Sequence, residues 1–373
     1  CIRDSVYSKR VLRMDRGVED GQVVRVLTRE GAPCGYAFAH TRSMIALRML
    51  SFDPGQVPDD GWLAARLAAA ERLRTDVLRI PLDSNAWRSV HAEADALSGL
   101  VIDRYDDVAV LLFYSRGWYE WREALARIVQ ETLGVQKVLW RVDARTATHE
   151  GIPEAPAHAP VLREIHEYGL RVQVDAASGH KSGWFLDQRE NRRVVRDLAQ
   201  GRTVFDGMTY AGGFALAAAS GGAKHVTGMD LDEQAIEQAK ANAKSGGHDI
   251  DFRHADVFDA LRAYGAGPEE ARPDLLIIDP PKWARDRKGL GVAIAKYGDL
   301  NRLALDAVQS GGLVFTHSCS GLVSEESFLS ILKNAALDAR RHVRVLMISG
   351  AAPDHPVALH VPEGRYLKLS LIH

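Results

Sequence analysis

Along its first stretch the chain alternates in a strand-like way. Gly21-Gln22-Val23-Val24-Arg25-Val26 reads as a strand, Gly31 to Gly35 as a turn, and Met44–Leu50 as another strand. Residues 1–53 are therefore expected to form a small β unit. A break at Asp53-Pro54-Gly55 follows, and from Trp62 to Leu73 helix formers dominate, with Leu63, Leu67 and Ala70 at helical spacing. Two strand-like runs come next, Ala86–Ala92 and Leu100–Phe113, with a hairpin turn expected at Arg104-Tyr105-Asp106-Asp107. A helix near Glu120–Leu133 and strands near Lys137–Val142 and Leu170–Val174 complete a linker helix and central α+β unit over residues 54–174.

From about Ser178 strands and helices alternate. Strands are expected at Thr203–Asp206, His225–Asp230, Asp251–His254, Leu275–Ile278 and Leu313–Ser318. Helices are expected from Gly213 to Ser220, over Glu233–Lys244 and over Leu300–Gln309. Such alternation predicts a doubly wound, Rossmann-like α/β domain over residues 175–373, with a parallel sheet wrapped by helices. Ligands of such sheets bind at the carboxyl ends of the strands.

Composition narrows the class. The 373 residues are 46% hydrophobic and 26% charged, with a formal net charge of −2, as expected for a soluble chain of two or three domains. That charge neither points to nucleic acid nor excludes it. The first 53 residues hold nine Arg and Lys against six Asp and Glu, which by charge alone reads as a solvated surface. The longest uncharged stretches, Gly207–Ala223 and Ala307–Ser324, are rich in Gly, Ser and Thr, so no membrane span is expected. No charged-then-apolar signal segment opens the chain, which starts at Cys1 rather than Met. Cys1, Cys34 and Cys319 lie far apart with no C-x-x-C pair. No metal centre or disulfide framework is expected, and the plain expectation is a reduced, cytoplasmic protein.

Five strand ends carry candidate chemistry. The first reads Asp206-Gly207-Met208-Thr209-Tyr210-Ala211-Gly212-Gly213-Phe214, where glycines let a ligand approach and a helix N-terminus offers free N–H groups. Its spacing is not G-x-G-x-x-G, which weakens a nicotinamide reading. Asp230, 18 residues after Gly212, is placed to accept ribose hydroxyls, and Asp256 to receive an adenine amino group. Together they suggest an adenosyl ligand without a pyrophosphate, which fits S-adenosylmethionine. Asp206, Tyr210, Gly212, Gly213, Phe214, Asp230 and Asp256 are its candidate contacts.

The fourth strand ends in Asp279-Pro280-Pro281-Lys282-Trp283, where two prolines fix an extended path beside a planar substrate. The next ends in Thr316-His317-Ser318-Cys319-Ser320-Gly321. A cysteine is most often a small buried hydrophobe, but at this rim, near Asp279, its thiolate can attack an electron-poor ring. His317 shares a strand face with Cys319 and either tunes the thiolate or packs.

The block Gly179-His180-Lys181-Ser182-Gly183-Trp184-Phe185-Leu186-Asp187-Gln188-Arg189-Glu190-Asn191-Arg192 resembles the one preceding the catalytic domain of large-subunit ribosomal RNA 5-cytosine methyltransferases. Asp279–Trp283, Tyr297-Gly298-Asp299-Leu300-Asn301 and Ser318-Cys319-Ser320-Gly321 are similar to that family too. So are Val90–Asp95, Gly99–Tyr105, Asp354-His355-Pro356-Val357 and Pro362–Lys368, so the resemblance spans nearly the whole chain. Met208, Ala211 and His317 depart from its commoner residues, and the PUA-like part looks short at its start.

The resemblance implies a PUA-like RNA-binding domain, a central α+β domain and a Rossmann-like methyltransferase domain. It implies that Cys319 attacks ring carbon 6 of a cytosine while Asp279 holds ring nitrogen 3, with Gln188 and Asp279 also touching the cofactor. Large-subunit ribosomal RNA is the implied partner, to a monomer or homodimer, with the cytidine in a loop or flipped out. Lys282, Arg189 and Arg192 are candidate substrate contacts. Arg193, Arg285, Arg287 and Lys288 are further basic residues placed to guide phosphates or simply to be solvated. Two rivals stand beside this reading: an amino-group or ring-nitrogen RNA methyltransferase using Asp279-Pro280-Pro281, and a non-catalytic ribosome-assembly protein.

Overall fold

A computed structural model describes residues 4–154, 158–177, 184–284 and 286–373. Cys1, the 179–183 part of the family-like block and Arg285 lie outside the described residues. The chain divides into two compact units: Cys1–Glu167 with Gln173–Leu186 and Pro353–Gly364, and Tyr168–Val172 with Asp187–Ala352 and Arg365–His373.

The first unit opens with an antiparallel sheet, β1 (Ser5–Tyr7), β2 (Val23–Leu27), β3 (Pro33–Ala39) and β4 (Ile45–Ser51), ordered β1-β4-β3-β2. The turn expected at Gly31–Gly35 lies earlier, where Thr28 N–H donates to the Ala32 carbonyl and Gly31 N–H to that of Thr28. Gly35 is inside β3 at φ +132°, and a Cβ there would collide with the Ser51 carbonyl. This glycine marks a close strand approach rather than a turn.

A helix, α1 (Asp60–Arg72), starts at Asp59, whose carboxylate accepts from Trp62 N–H at 2.7 Å. The second sheet pairs β5 (Ala86–His91), β6 (Leu100–Tyr105), β7 (Val108–Phe113) and β8 (Lys137–Arg141) in that order. Between β7 and β8 run α2 (Arg116–Glu120) and α3 (Arg122–Leu133). Leu63 and Leu67 of α1, Leu125 and Val129 of α3, and Ile102 and Leu111 of the sheet form one apolar core. Beside the sheet lies a polar cluster. Arg88 grips Asp103 at 2.7 and 3.0 Å, and its N–H donates to Asp354 of the returning tail at 2.9 Å. Wholly buried Arg74 pairs with Asp95 and donates to the Ala70, Arg88 and Asp354 carbonyls. After α4 (Ala144–Glu150), a hairpin of β9 (Leu162–Glu167) and β10 (Leu170–Asp175) lies where the chain passes between units.

The second unit runs α5 (Arg189–Leu198), β11 (Thr203–Gly207), α6 (Gly213–Ser220), β12 (His225–Asp230), α7 (Glu233–Gly246), β13 (Asp251–His254), α8 (Val257–Ala266) and β14 (Leu275–Ile278). It continues with α9 (Leu290–Ala307), β15 (Leu313–Ser318), α10 (Glu325–Asp338), β16 (Val345–Ser349) and β17 (Lys368–Ile372). Its seven strands are ordered β13-β12-β11-β14-β15-β17-β16, parallel from β11 to β15, with β17 antiparallel to both neighbours. This is the doubly wound sheet that the alternation predicts. The helix expected from Leu300 begins ten residues earlier, because Ala293, Tyr297, Leu300 and Ala304 all bury at helical spacing. Among the described residues no helix is long and apolar enough to cross a membrane.

Candidate active site

The strand order reverses between β11 and β14, where Gly207 and Ile278 are register partners. A doubly wound sheet opens its binding crevice at such a switch point. Asp206 stands there fully buried. Its Oδ2 accepts from the Thr209 hydroxyl and from Ala215 N–H at 2.9 Å, while Oδ1 has no partner. Burial pushes this carboxyl up to about 7, the Asp279 and Asp230 charges add to the rise, and the two donors oppose it.

The loop after β11 is held by its neighbours. Met208 and Thr209 N–H both donate to the Met229 carbonyl, and Tyr210 N–H donates to Asp230 Oδ2 at 2.8 Å. Met208 and Tyr210 both take positive φ, +64° and +52°. Gly212 caps α6 at φ +84°, where an added Cβ would lie 2.9 Å from the Phe252 ring. Its glycine thus serves backbone geometry and packing, not only ligand approach. Asp230 also accepts from Asp232 N–H at 2.9 Å, which fixes the carboxylate while each oxygen keeps a lone pair. Asp256 is exposed and caps α8 through Phe258 N–H at 2.8 Å.

The loops after β14 and β15 meet. Asp279 Oδ2 accepts from Gln188 Nε2 at 2.8 Å, and Gln188 Oε1 accepts from Asn191 Nδ2 at 2.6 Å. Asn191 in turn donates to the Gly350 carbonyl and accepts from the Ser349 hydroxyl, so it acts as the brace for Gln188. The Cys319 thiol, half-buried, lies 3.8 Å from the Pro280 carbonyl, which brings Cys319 and the Asp279 loop together as their strand ends imply.

His317 is buried with Nδ1 3.0 Å from the Ile278 carbonyl and Nε2 without a partner. An N–H on Nδ1 satisfies that carbonyl and leaves Nε2 as a bare acceptor. Burial lowers its pKa, against the Asp279 and Asp187 charges and the Ile278 bond. Its ring lies between Phe214 and Phe315, with centroids 5.2 and 5.1 Å away.

Two buried acceptors, Asp206 Oδ1 and His317 Nε2, therefore lack donors in the unit that carries the N-terminus of α6, whose N-cap Gly212 has no side chain to cap it. An amino acid's ammonium supplies such donors and its carboxylate suits helix N–H groups, so these residues fit the methionine half of S-adenosylmethionine. A family model for S-adenosylmethionine-dependent methyltransferases matches residues 145–336, and one for PUA-like domains matches residues 5–52. The chain belongs to the S-adenosylmethionine-dependent methyltransferases. Its relatives include proteins named ribosomal RNA large subunit methyltransferase I. That of Erwinia tasmaniensis is 35% identical, covering 97% of this chain and 93% of its own, and that of Photobacterium profundum 34% with the same coverage. A solved methyltransferase complexed with SAH, SMU.776, shares the fold with TM-score 0.82 at 21% identity, over 99% of this chain and 95% of that one.

In this methyltransferase the basic candidates part company. Arg189 and Arg192, candidate substrate contacts, are buried, 1% and 3% exposed, on a helix that packs against α6. Lys282, Arg193, Arg287 and Lys288 are exposed. Two side chains with no role assigned from the sequence, Tyr297 and Lys368, also stand here. Tyr297 hydroxyl is 2.9 Å from Ser320 Oγ, and buried Lys368 donates to the Ser320 and Tyr366 carbonyls at 2.6 Å each. Tyr297 and Lys368 lay inside the family-like blocks, which was the one signal available.

Proposed function

We propose that this methyltransferase modifies carbon 5 of a cytidine in large-subunit (23S) ribosomal RNA through a covalent Cys319 adduct. The observation that carries the reading is the meeting of the Cys319 thiol with the Asp279-Pro280-Pro281 loop. Carbon 5 of cytosine is a weak nucleophile and needs activation. The Cys319 thiolate bonds to carbon 6, and the displaced electron pair makes carbon 5 nucleophilic. Asp279, steadied by Gln188, holds ring nitrogen 3 through a shared proton and offsets the charge that develops. S-adenosylmethionine supplies the electrophilic methyl. Loss of the carbon 5 proton then restores the ring and expels the thiolate.

Asp230, Asp256, Tyr210, Gly212, Gly213 and Phe214 are assigned to the cofactor, with Asp206 and Gln188 at its methionine end. Lys282, Arg189 and Arg192 are assigned to the RNA substrate, and the exposed Arg193, Arg287 and Lys288 to its phosphates. The three-part reading, 1–53, 54–174 and 175–373, assigns RNA capture to the first part and chemistry to the last. The cytoplasm, where ribosomal RNA is modified, is its place of action.

The test is nucleoside mass spectrometry of unmodified ribosomal RNA incubated with S-adenosylmethionine and wild type or Cys319→Ala. New 5-methylcytosine with wild type alone is expected. A methylated nitrogen that survives Cys319→Ala would overturn the covalent reading and favour direct attack by a base nitrogen held at Asp279.

A further inference from the structure

Lys368 has no role in the chemistry above, yet it is 3% exposed. It opens β17, and its register partner across the antiparallel pair is Ser318. Its Nζ donates to the carbonyl of Ser320, so the side chain spans the backbone on both sides of Cys319. Both of its hydrogen bonds end on carbonyls, Ser320 and Tyr366. Among the described residues no carboxylate pairs with it. A buried ammonium without a counter-ion is costly, and such groups concentrate where chemistry needs them.

We propose that Lys368 is the positioning residue for Cys319, its ammonium stabilising the thiolate that attacks the base. The proposal rests on the reading of Cys319 as nucleophile. The charge balance follows directly: the thiol loses its proton to solvent, and the anion left behind gains the fixed cation as neighbour. Burial draws Lys368 down to about 8, the Cys319 charge favours its protonated form, and Lys282 opposes it. Tyr297 also lies in electrostatic reach of Cys319 and of Asp279. Lys282, a second cation in electrostatic reach of Lys368, is exposed.

Iodoacetamide alkylation tests this without RNA or cofactor, because only the thiolate reacts. Rates are read across pH on the Cys319 peptide by mass spectrometry, with Cys34 as the internal comparison. In wild type, Cys319 is expected to reach half-maximal rate at least one pH unit below an ordinary thiol at about 8.5. Lys368→Met should slow alkylation about tenfold near neutral pH and restore it at high pH, whereas Lys368→Arg should keep the wild-type profile. A wild-type midpoint at or above that of an ordinary thiol would sink the proposal, whether or not Lys368→Met folds. So would an unchanged profile in folded Lys368→Met. The function reading fails separately: if Cys319→Ala still methylates RNA, the alkylation result stands on its own.

Discussion

Asp206→Asn probes the proposed contact of this buried carboxyl with the cofactor. Burial raises the carboxyl from 3.8 to about 7, with Asp279 and Asp230 adding to the rise. About three units correspond to roughly 4 kcal/mol between the two protonation states. Because the folded value is the higher one, the stabilising form is the protonated one. That contribution is whole below the unfolded value and is lost as pH climbs through about 7. A ligand ammonium at the unpartnered Oδ1 reverses the preference and favours the ionised form.

Binding of S-adenosylhomocysteine should therefore release most of a proton well below pH 7 and little of one well above it. Titration calorimetry in buffers of different ionisation enthalpy measures that number directly. Asp206→Asn keeps an acceptor for Thr209 and Ala215 N–H but places an amide nitrogen where Oδ1 stands. It should abolish the pH-dependent proton release and weaken binding by about tenfold or more, as expected for losing a charged hydrogen bond of about 1.5–3 kcal/mol. Equal proton release by wild type at both pH values, or by wild type and variant, would refute the reasoning.

Three other outcomes are expected. Gly212→Ala must hold φ +84° with a Cβ 2.9 Å from Phe252, so strain of about 1–2 kcal/mol plus crowding should lower the melting temperature and impair S-adenosylhomocysteine binding; a variant as stable as wild type would count against it. Arg74→Ala leaves Asp95 unpaired in the interior and should cost about 3–5 kcal/mol in denaturant unfolding, and a loss below about 1 kcal/mol would contradict that. His317 should remain a neutral Nδ1–H tautomer at about pH 6 by nitrogen-15 NMR, where an ordinary histidine is largely charged; protonation near 6.5 would contradict its burial.

Which features were legible follows from how local they are. Leu275–Ile278 is an unbroken apolar run because a central parallel strand is covered on both faces, and its end at Asp279 is visible in the same few residues. Asp206, Asp230 and Cys319 are legible as strand-end residues in the same way, as polar residues where such runs stop. The burial of Arg189 and Arg192 is not legible, since charge along α5 does not say which arginines turn inward. Gly35 looked like a turn because a glycine signals only permissive backbone, and the approaching Ser51 carbonyl comes from another strand.

By itself, the amino-acid order determined the alternation of strands and helices, their doubly wound class and the carboxylates and thiol at the strand ends. Those depend on periodicity and on residues a few positions apart. Tertiary structure alone decided that the Asp354 segment joins the first unit through Arg74 and Arg88, and that β17 enters antiparallel beside β15. It also decided that Lys368 lies alongside Cys319, nearly fifty residues away in sequence. Such pairings arise from register and from satisfying buried polar groups across distant segments, and no local pattern encodes them.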